Sequence, residues 1–228
     1  MSKKLYQGIE LEVEDYQVLQ ELEEMIGEPI PVTTEFNWNT FGFAAESKRI
    51  IGIGLFAKSL KELPNGLWKL SKLQKLMLVG NGLGKLPDSF SGLKELKKLW
   101  LNVNNLTTLP NSICELENLT AFCIYQNSIS FLPEDFGNLV NLTEVHIAGN
   151  PIEILPKSFE KLTKLQTIDI NQTELTELPK MLDQCKDLKL IAFPIRLLTQ
   201  LPEALKKKED LKIFTMDEQG KNIEQKFE

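Results

Sequence analysis

The chain has 228 residues, of which 25% are charged, and a formal net charge of −6 at pH 7. This acidic balance argues against sequence-independent binding to nucleic acid, because phosphate contacts need clustered lysine and arginine. No segment approaches the ~20 apolar residues that a membrane-spanning helix needs. The amino-terminal stretch also lacks the apolar core of a signal peptide. Nucleic acid and membrane partners are therefore not expected.

The first elements predicted along the chain are a helix and a hairpin. Residues 14–26 begin with acidic side chains and carry apolar ones three or four apart, and Gly27 ends this helical pattern. Two phenylalanines then lead through a short polar turn into an apolar run, which predicts a hairpin at about 41–55. Phe36 and Trp38 are expected to pack beneath that hairpin.

The pair Leu-Pro recurs seven times at a constant interval of 23 residues. The pairs are Leu63-Pro64, Leu86-Pro87, Leu109-Pro110, Leu132-Pro133, Leu155-Pro156, Leu178-Pro179 and Leu201-Pro202. Self-similarity at a period of 20 to 50 residues is typical of stacked repeats. A stack of repeats offers extended surfaces rather than pockets, which favours a binding protein over an enzyme.

Each repeat contains two hydrophobic periods. In the second copy, Phe90, Leu93 and Leu96 lie three apart, which suits a short helical turn that the preceding proline can open. Leu99 and Leu101 lie two apart, which suits a strand with one buried face. Including a degenerate copy upstream of the first Leu-Pro pair, the sequence predicts eight strands that span about 34 Å at a spacing of ~4.8 Å.

An asparagine ends four successive strands at the same position of the repeat. We call this set the asparagine ladder; its members are Asn81, Asn104, Asn127 and Asn150. A side-chain amide there can bond backbone groups of neighbouring turns that would otherwise be buried and unpaired. The position then changes to Thr173, Arg196 and Gln219 as the last repeats become polar. Residues 218–228 are expected to be a frayed tail.

The repeat pattern LPxxLxxLxxLxxLxLxxNxLxx resembles the 23-residue leucine-rich repeats of intracellular proteins, and among these the Ras-suppressor type. The resemblance covers roughly residues 50–217. It implies an α/β fold, a right-handed curved solenoid with a parallel sheet of about eight strands on its concave side and short helices on its convex side. With the helix and hairpin, this divides the chain into an amino-terminal cap at 1–48, repeats at 49–217 and a tail at 218–228.

The chain has three cysteines, too few and too scattered for a disulfide framework. The cysteine-rich caps that mark secreted leucine-rich repeats are also absent. The sequence therefore predicts a cytoplasmic protein with reduced thiols.

The repeat register identifies the side chains on the solvent-facing side of the sheet. Its apolar and aromatic members, which we call the concave patch, are Phe56, Met77, Val79, Trp100, Val103 and Tyr125. The polar strip continues the patch towards the carboxyl end and consists of His146, Asp169, Asn171 and Gln172. Lys75 and Lys98 flank the patch. Exposed aromatic residues surrounded by polar groups are typical of binding hot spots, so the sequence predicts a protein-binding face centred on Trp100 and Tyr125. Packing of these rings on one another is the alternative interpretation.

The expected function is that of a non-enzymatic interaction module or scaffold, a monomer without a cofactor, that holds a protein partner on the concave sheet. The Ras-suppressor resemblance implies a small GTPase as the first partner to consider. A self-associating structural protein is one alternative. Binding through the convex side, from which Trp68 is expected to project, is another.

An enzyme that uses a thiol or a metal is the remaining alternative. Cys123, His146 and Asp169 occupy one column on three consecutive strands, with Cα atoms about 4.8 Å apart. This order imitates a catalytic set or the ligands of a zinc ion. An open sheet, however, has no pocket that excludes water and no free backbone N–H groups for an oxyanion hole, which favours a polar part of an interface.

Overall fold

The computed structural model describes residues 4–216 and 221–226. Strands β1 (Lys4–Tyr6) and β2 (Ile9–Leu11) pair antiparallel, and helix α1 follows at Val13–Ile26. Strands β3 (Phe41–Glu46) and β4 (Arg49–Leu55) then form an antiparallel hairpin. In the described ranges no helix is both long and apolar enough to cross a membrane.

Each repeat contributes one short strand to a parallel sheet. After β4 the strands are β5 (Lys75–Met77), β6 (Lys98–Trp100), β7 (Ala121–Cys123), β8 (Glu144–His146), β9 (Thr167–Asp169), β10 (Leu190–Pro194) and β11 (Lys212–Met216). They pair in chain order, and each step of the register joins residues 23 apart from β4 to β10. The eight parallel strands that the sequence predicts are confirmed as β4–β11.

The opposite side of the solenoid carries short 3₁₀ helices. They span Asn65–Lys69, Phe90–Gly92, Asn111–Glu115, Phe136–Asn138, Lys157–Lys161, Lys180–Gln184 and Ile195–Gln200. A single α-helical turn, α2, follows at Glu203–Lys206. A 3₁₀ helix has three residues per turn, so the apolar spacing of three in each repeat keeps one face towards the core. Trp68, expected to project, is instead only 5% exposed and packs against the ring of Phe90.

The asparagine ladder closes the inner edge of the solenoid. Asn104 accepts hydrogen bonds from the amides of Asn81 and Leu83, and its own amide donates to the carbonyls of Leu78 and Leu101. The other members bond their neighbouring turns in a similar way. All four side chains are buried, so the ladder satisfies backbone groups that water cannot reach.

The cap is tied to the first repeat by a buried carboxylate. Asp15 of α1 is 1% exposed, and its side chain accepts a hydrogen bond from the Ile50 amide at 2.6 Å and pairs with the Arg49 guanidinium at 3.1 Å. Val18, Leu22 and other apolar residues of α1 are buried on the same side. The cap therefore covers the apolar end that a stack of repeats would otherwise expose.

At the carboxyl end the sheet gains one antiparallel strand. Strand β12 (Asn222–Gln225) pairs with β11, so the expectation of a frayed tail is wrong for these residues. The open edge of β11 offers unpaired backbone groups, and a strand that turns back satisfies them. Gln219 lies outside the described residues.

Candidate binding site on the concave sheet

The amino-terminal end of the concave face is covered by the cap. A Cβ atom built on Gly52 would lie 2.5 Å from the Phe36 ring, and one on Gly54 would lie 2.6 Å from a methyl carbon of Thr40. The segment from residue 36 to 40 therefore crosses the face of β4, and only glycines leave room for it. Phe36 therefore packs against the hairpin, as expected, with its ring on Gly52 of β4.

Trp38 was expected to pack beneath the hairpin too, but its side chain is 54% exposed. Its ring meets the ring of Phe56 edge to face, with centroids 5.4 Å apart. Beside this pair, the Lys75 ammonium lies 5.2 Å from the centre of the Phe36 ring, within cation–π range. The cap therefore adds an exposed indole to the aromatic surface, which the repeat register alone did not reveal.

Some side chains of the concave patch are exposed to solvent, and others are buried. Phe56, Trp100 and Tyr125 are partly exposed, and Val103 is 43% exposed. Met77 and Val79, which the sequence places on the binding face, are only 1% and 2% exposed. Each lies beside a larger ring in its own column, Met77 beside Trp100 in the register and Val79 next to the Phe56 position. These two residues support the surface rather than forming it.

The polar strip surrounds a shallow depression of about 250 Å³. Its walls are Tyr125, Gln126, His146, Ala148, Asp169, Asn171, Gln172, Met216 and Asn222. The last two belong to the carboxyl-terminal strands, so the end of the sheet forms one wall. The sequence alone could not supply this wall, because the motif does not predict that the chain turns back at β12.

Two groups in the depression are poorly solvated. Asn171 is 3% exposed, and its Oδ1 atom is buried without a hydrogen-bond partner among the described residues. Burial raises the pKa of the Asp169 carboxyl, although the backbone hydrogen bond from Asn171 (3.0 Å) and the nearby His146 both act in the opposite direction. A carboxylate and an amide oxygen, both largely withdrawn from water, favour a ligand that donates hydrogen bonds.

The column of Cys123, His146 and Asp169 lacks the features of a catalytic set. Cys123 is 6% exposed, and burial above all raises the pKa of its thiol to about 12. A catalytic thiol needs a lowered pKa, because the thiolate is the nucleophile. In the part of the chain that the structure describes, no three His, Cys, Asp or Glu side chains are arranged to hold a metal ion. The geometry gives the enzymatic alternative no support.

Comparison with known proteins agrees with this architecture. A family model described as "Leucine rich repeat" matches residues 71–122, and one described as "BspA type Leucine rich repeat region (6 copies)" matches residues 107–227. No curated protein has a significant sequence match.

Solved structures with the same repeats align over most of the chain. A leucine-rich repeat protein of Leptospira interrogans is 28% identical, with a TM-score of 0.62, over 73% of this chain and 42% of its own. The ectodomain of the Arabidopsis thaliana receptor kinase GASSHO1/SCHENGEN3, in complex with CASPARIAN STRIP INTEGRITY FACTOR 2, is 25% identical, with a TM-score of 0.65, over 87% of this chain and 26% of its own. This chain therefore spans less than half of the length of either protein.

Proposed function

The chain belongs to the leucine-rich repeat family, and we propose that it is a binding protein that holds a protein partner on the open part of its concave sheet. Proteins built from these repeats are typically protein-binding modules. The structure of the plant ectodomain was solved in complex with CASPARIAN STRIP INTEGRITY FACTOR 2. A preformed sheet keeps the entropic cost of binding small, because few groups need to be ordered when the partner arrives.

The main support for the proposal is that an aromatic surface and a polar depression lie next to each other on the concave sheet. Partly exposed Trp100 and Tyr125 lead to the depression, where the buried Asn171 Oδ1 has no donor among the described residues and the Asp169 carboxyl accepts a single backbone hydrogen bond from Asn171. Aromatic side chains supply large contact areas at low entropic cost, and buried acceptors reward a correctly placed donor. The partner segment should therefore place an apolar side chain on the rings and a lysine, an arginine or an amino terminus in the depression.

The partner's charge should also vary along the site. Lys75 and Lys98 pair in the register at the amino-terminal side of the patch, whereas Glu144 and Asp169 lie on the strands of the depression. An acidic group of the partner would suit the lysines, and a basic group would suit the carboxylates. A small GTPase is the first partner to test. A cytoplasmic location and a monomeric state belong to the same proposal.

The test compares capture of a partner from cognate lysate by three proteins. They are the native chain, a Trp100→Glu, Tyr125→Glu double variant, and a Lys94→Glu control on an exposed turn away from the concave face. We expect the native chain and the control to capture the same protein and the double variant to lose it. Equal capture by all three would show that the concave face is not the site.

Two further measurements separate the finer parts of the proposal. Purified small GTPases, loaded with GDP or a GTP analogue, test that partner class; their failure to bind would leave the concave site standing. Sedimentation of the native chain and of Trp100→Glu tests self-association. A native dimer that the variant abolishes would identify the occupant of the concave face as a second copy of the chain.

A further inference from the structure

A second surface lies on the flank of the solenoid, between the strand ends and the 3₁₀ helices of three successive repeats. It is a groove of about 710 Å³. Phe131 and Ile154 stand at its edge with 59% and 73% of their side chains exposed. Ile154 is the most exposed of the large apolar residues that the structure describes. Neither residue belongs to the concave sheet.

The repeat does not require apolar residues at these two positions. Phe131 and Ile154 occupy the position immediately before Leu-Pro. In the other five copies this position holds Glu62, Lys85, Thr108, Glu177 and Gln200. The two apolar members are adjacent copies, so they form a pair on the surface rather than two scattered side chains. A contiguous exposed apolar surface beside a groove is typical of an interaction site.

The groove is also acidic. Glu134, Glu153, Glu160 and Glu177 line it, against only two lysines, Lys157 and Lys180. None of these six side chains forms an ion pair with another residue in the described part of the chain. Four carboxylates around an apolar floor favour a segment that combines apolar side chains with lysine or arginine.

We propose that this flank groove is a second docking site, and that its occupant is a short basic and apolar segment of a partner protein. Three repeats at a spacing of ~4.8 Å extend over about 10 Å, which three or four residues of an extended chain can cover. An apolar side chain of the segment packs between Phe131 and Ile154, and its basic neighbours reach Glu153 and Glu177. The site is independent of the concave face and does not rest on the function proposed for it.

The test uses a defined peptide of eight residues in which lysine alternates with leucine or phenylalanine. The matched control peptide has glutamate in place of every lysine. Binding to the native chain is followed by amide chemical shifts. We expect the basic peptide to perturb residues 131–134, 153–160 and 176–180, and the acidic peptide to bind at least tenfold more weakly. No binding of the basic peptide at millimolar concentration would overturn the proposal, and so would shifts confined to the concave strands.

Three variants connect the binding to the groove. The Phe131→Ser, Ile154→Ser variant should weaken the basic peptide at least about tenfold, because both apolar contacts are lost. The Glu153→Lys, Glu177→Lys variant, at two exposed positions, should reverse the preference in favour of the acidic peptide. Trp100→Glu should bind like the native chain. Unchanged affinity in the first two variants, or loss in the third, would contradict the assignment. A native dimer that only the serine variant dissociates would show that the occupant is a second copy, which would also make the proposed occupant wrong.

Discussion

Removing one member of the asparagine ladder should destabilise the protein far more than removing an exposed asparagine. In Asn104→Ala, the buried amides of Asn81 and Leu83 lose the acceptor that lies 3.1 and 3.0 Å away. The Leu78 carbonyl loses its donor at 2.9 Å. The Leu101 carbonyl keeps a bond of 3.0 Å from the next member of the ladder. Three buried groups are therefore left unpaired.

Each unpaired buried group costs about 1–3 kcal/mol, so the expected loss for Asn104→Ala is at least about 3 kcal/mol. This is a large fraction of the ~5–15 kcal/mol by which most domains are stable. The control is Asn118→Ala, which removes one exposed bond of 2.9 Å to the Lys94 carbonyl and should cost less than about 1 kcal/mol. Both variants replace an asparagine of the repeats by alanine, so they differ in whether the lost hydrogen bonds are buried or exposed.

Urea unfolding followed by circular dichroism measures both losses, provided that the slope of the transition is the same in all three proteins. Hydrogen exchange of the Leu83 amide gives a local measurement, and it should accelerate in Asn104→Ala but not in the control. If Asn104→Ala were no less stable than Asn118→Ala, the ladder would not stabilise the stack of repeats, and other contacts would be holding the turns together.

Three other predictions concern the core and the depression. Gly137→Ala should lower the free energy of unfolding by about 1–3 kcal/mol in thermal unfolding, because the new Cβ would lie 1.7 Å from the Ser158 carbonyl oxygen. Gly84→Ala, which has open space around it, should change that free energy by no more than about 0.5 kcal/mol, and equal losses in the two variants would refute the prediction. Asp169→Asn should be more stable than the native chain at pH 7. The folded chain binds the Asp169 proton more tightly than the unfolded chain, so the stability of the native chain falls as pH rises through the raised pKa. The difference in stability between Asp169→Asn and the native chain should therefore grow from pH 3 to 7, and a difference that shrinks would contradict the prediction. The Cys123 thiol, with a pKa of about 12, should react with a thiol reagent far more slowly in the folded chain than in the chain unfolded by urea. Fast reaction in the folded chain would support the thiol-enzyme alternative.

The repeat interior could be predicted from the sequence because every copy obeys the same rule. The strand positions, the buried leucines and the asparagine ladder all follow from a 23-residue period and from the need to pair buried backbone groups. After Asn150 the asparagine position of the repeat holds other polar residues, and these also form hydrogen bonds. Thr173 donates to the Ile170 carbonyl, and Arg196 donates to the Thr173 and Leu175 carbonyls. Thr173 thus satisfies a carbonyl of its own repeat, whereas Arg196 still joins its repeat to the preceding one.

The site was predictable only in part, because its limits depend on segments outside the repeat. A column position tells which way a side chain points, but not how much its neighbours cover it, which is why Met77 and Val79 were wrongly expected on the surface. Trp38 lies in an irregular segment without a period, so no pattern could place it against Phe56. The only available signal was the pair Gly52 and Gly54, two residues without side chains in columns that are otherwise filled.

The two ends of the chain together determine which part of the sheet can bind. At the amino end, Phe36 and Thr40 occupy the space over β4, and at the carboxyl end Met216 and Asn222 form a wall beside the depression. The exposed strand positions between them extend from β6 to β9, about 14 Å at a spacing of ~4.8 Å, and Trp38 and Phe56 add aromatic surface at the amino end. That length suits a short segment or a single loop of a partner rather than a broad flat surface. A concave partner footprint much longer than this would require the cap segment at residues 36–40 to move, and hydrogen exchange of the Phe56 amide, which donates to the Thr40 carbonyl at 3.1 Å, would detect that movement.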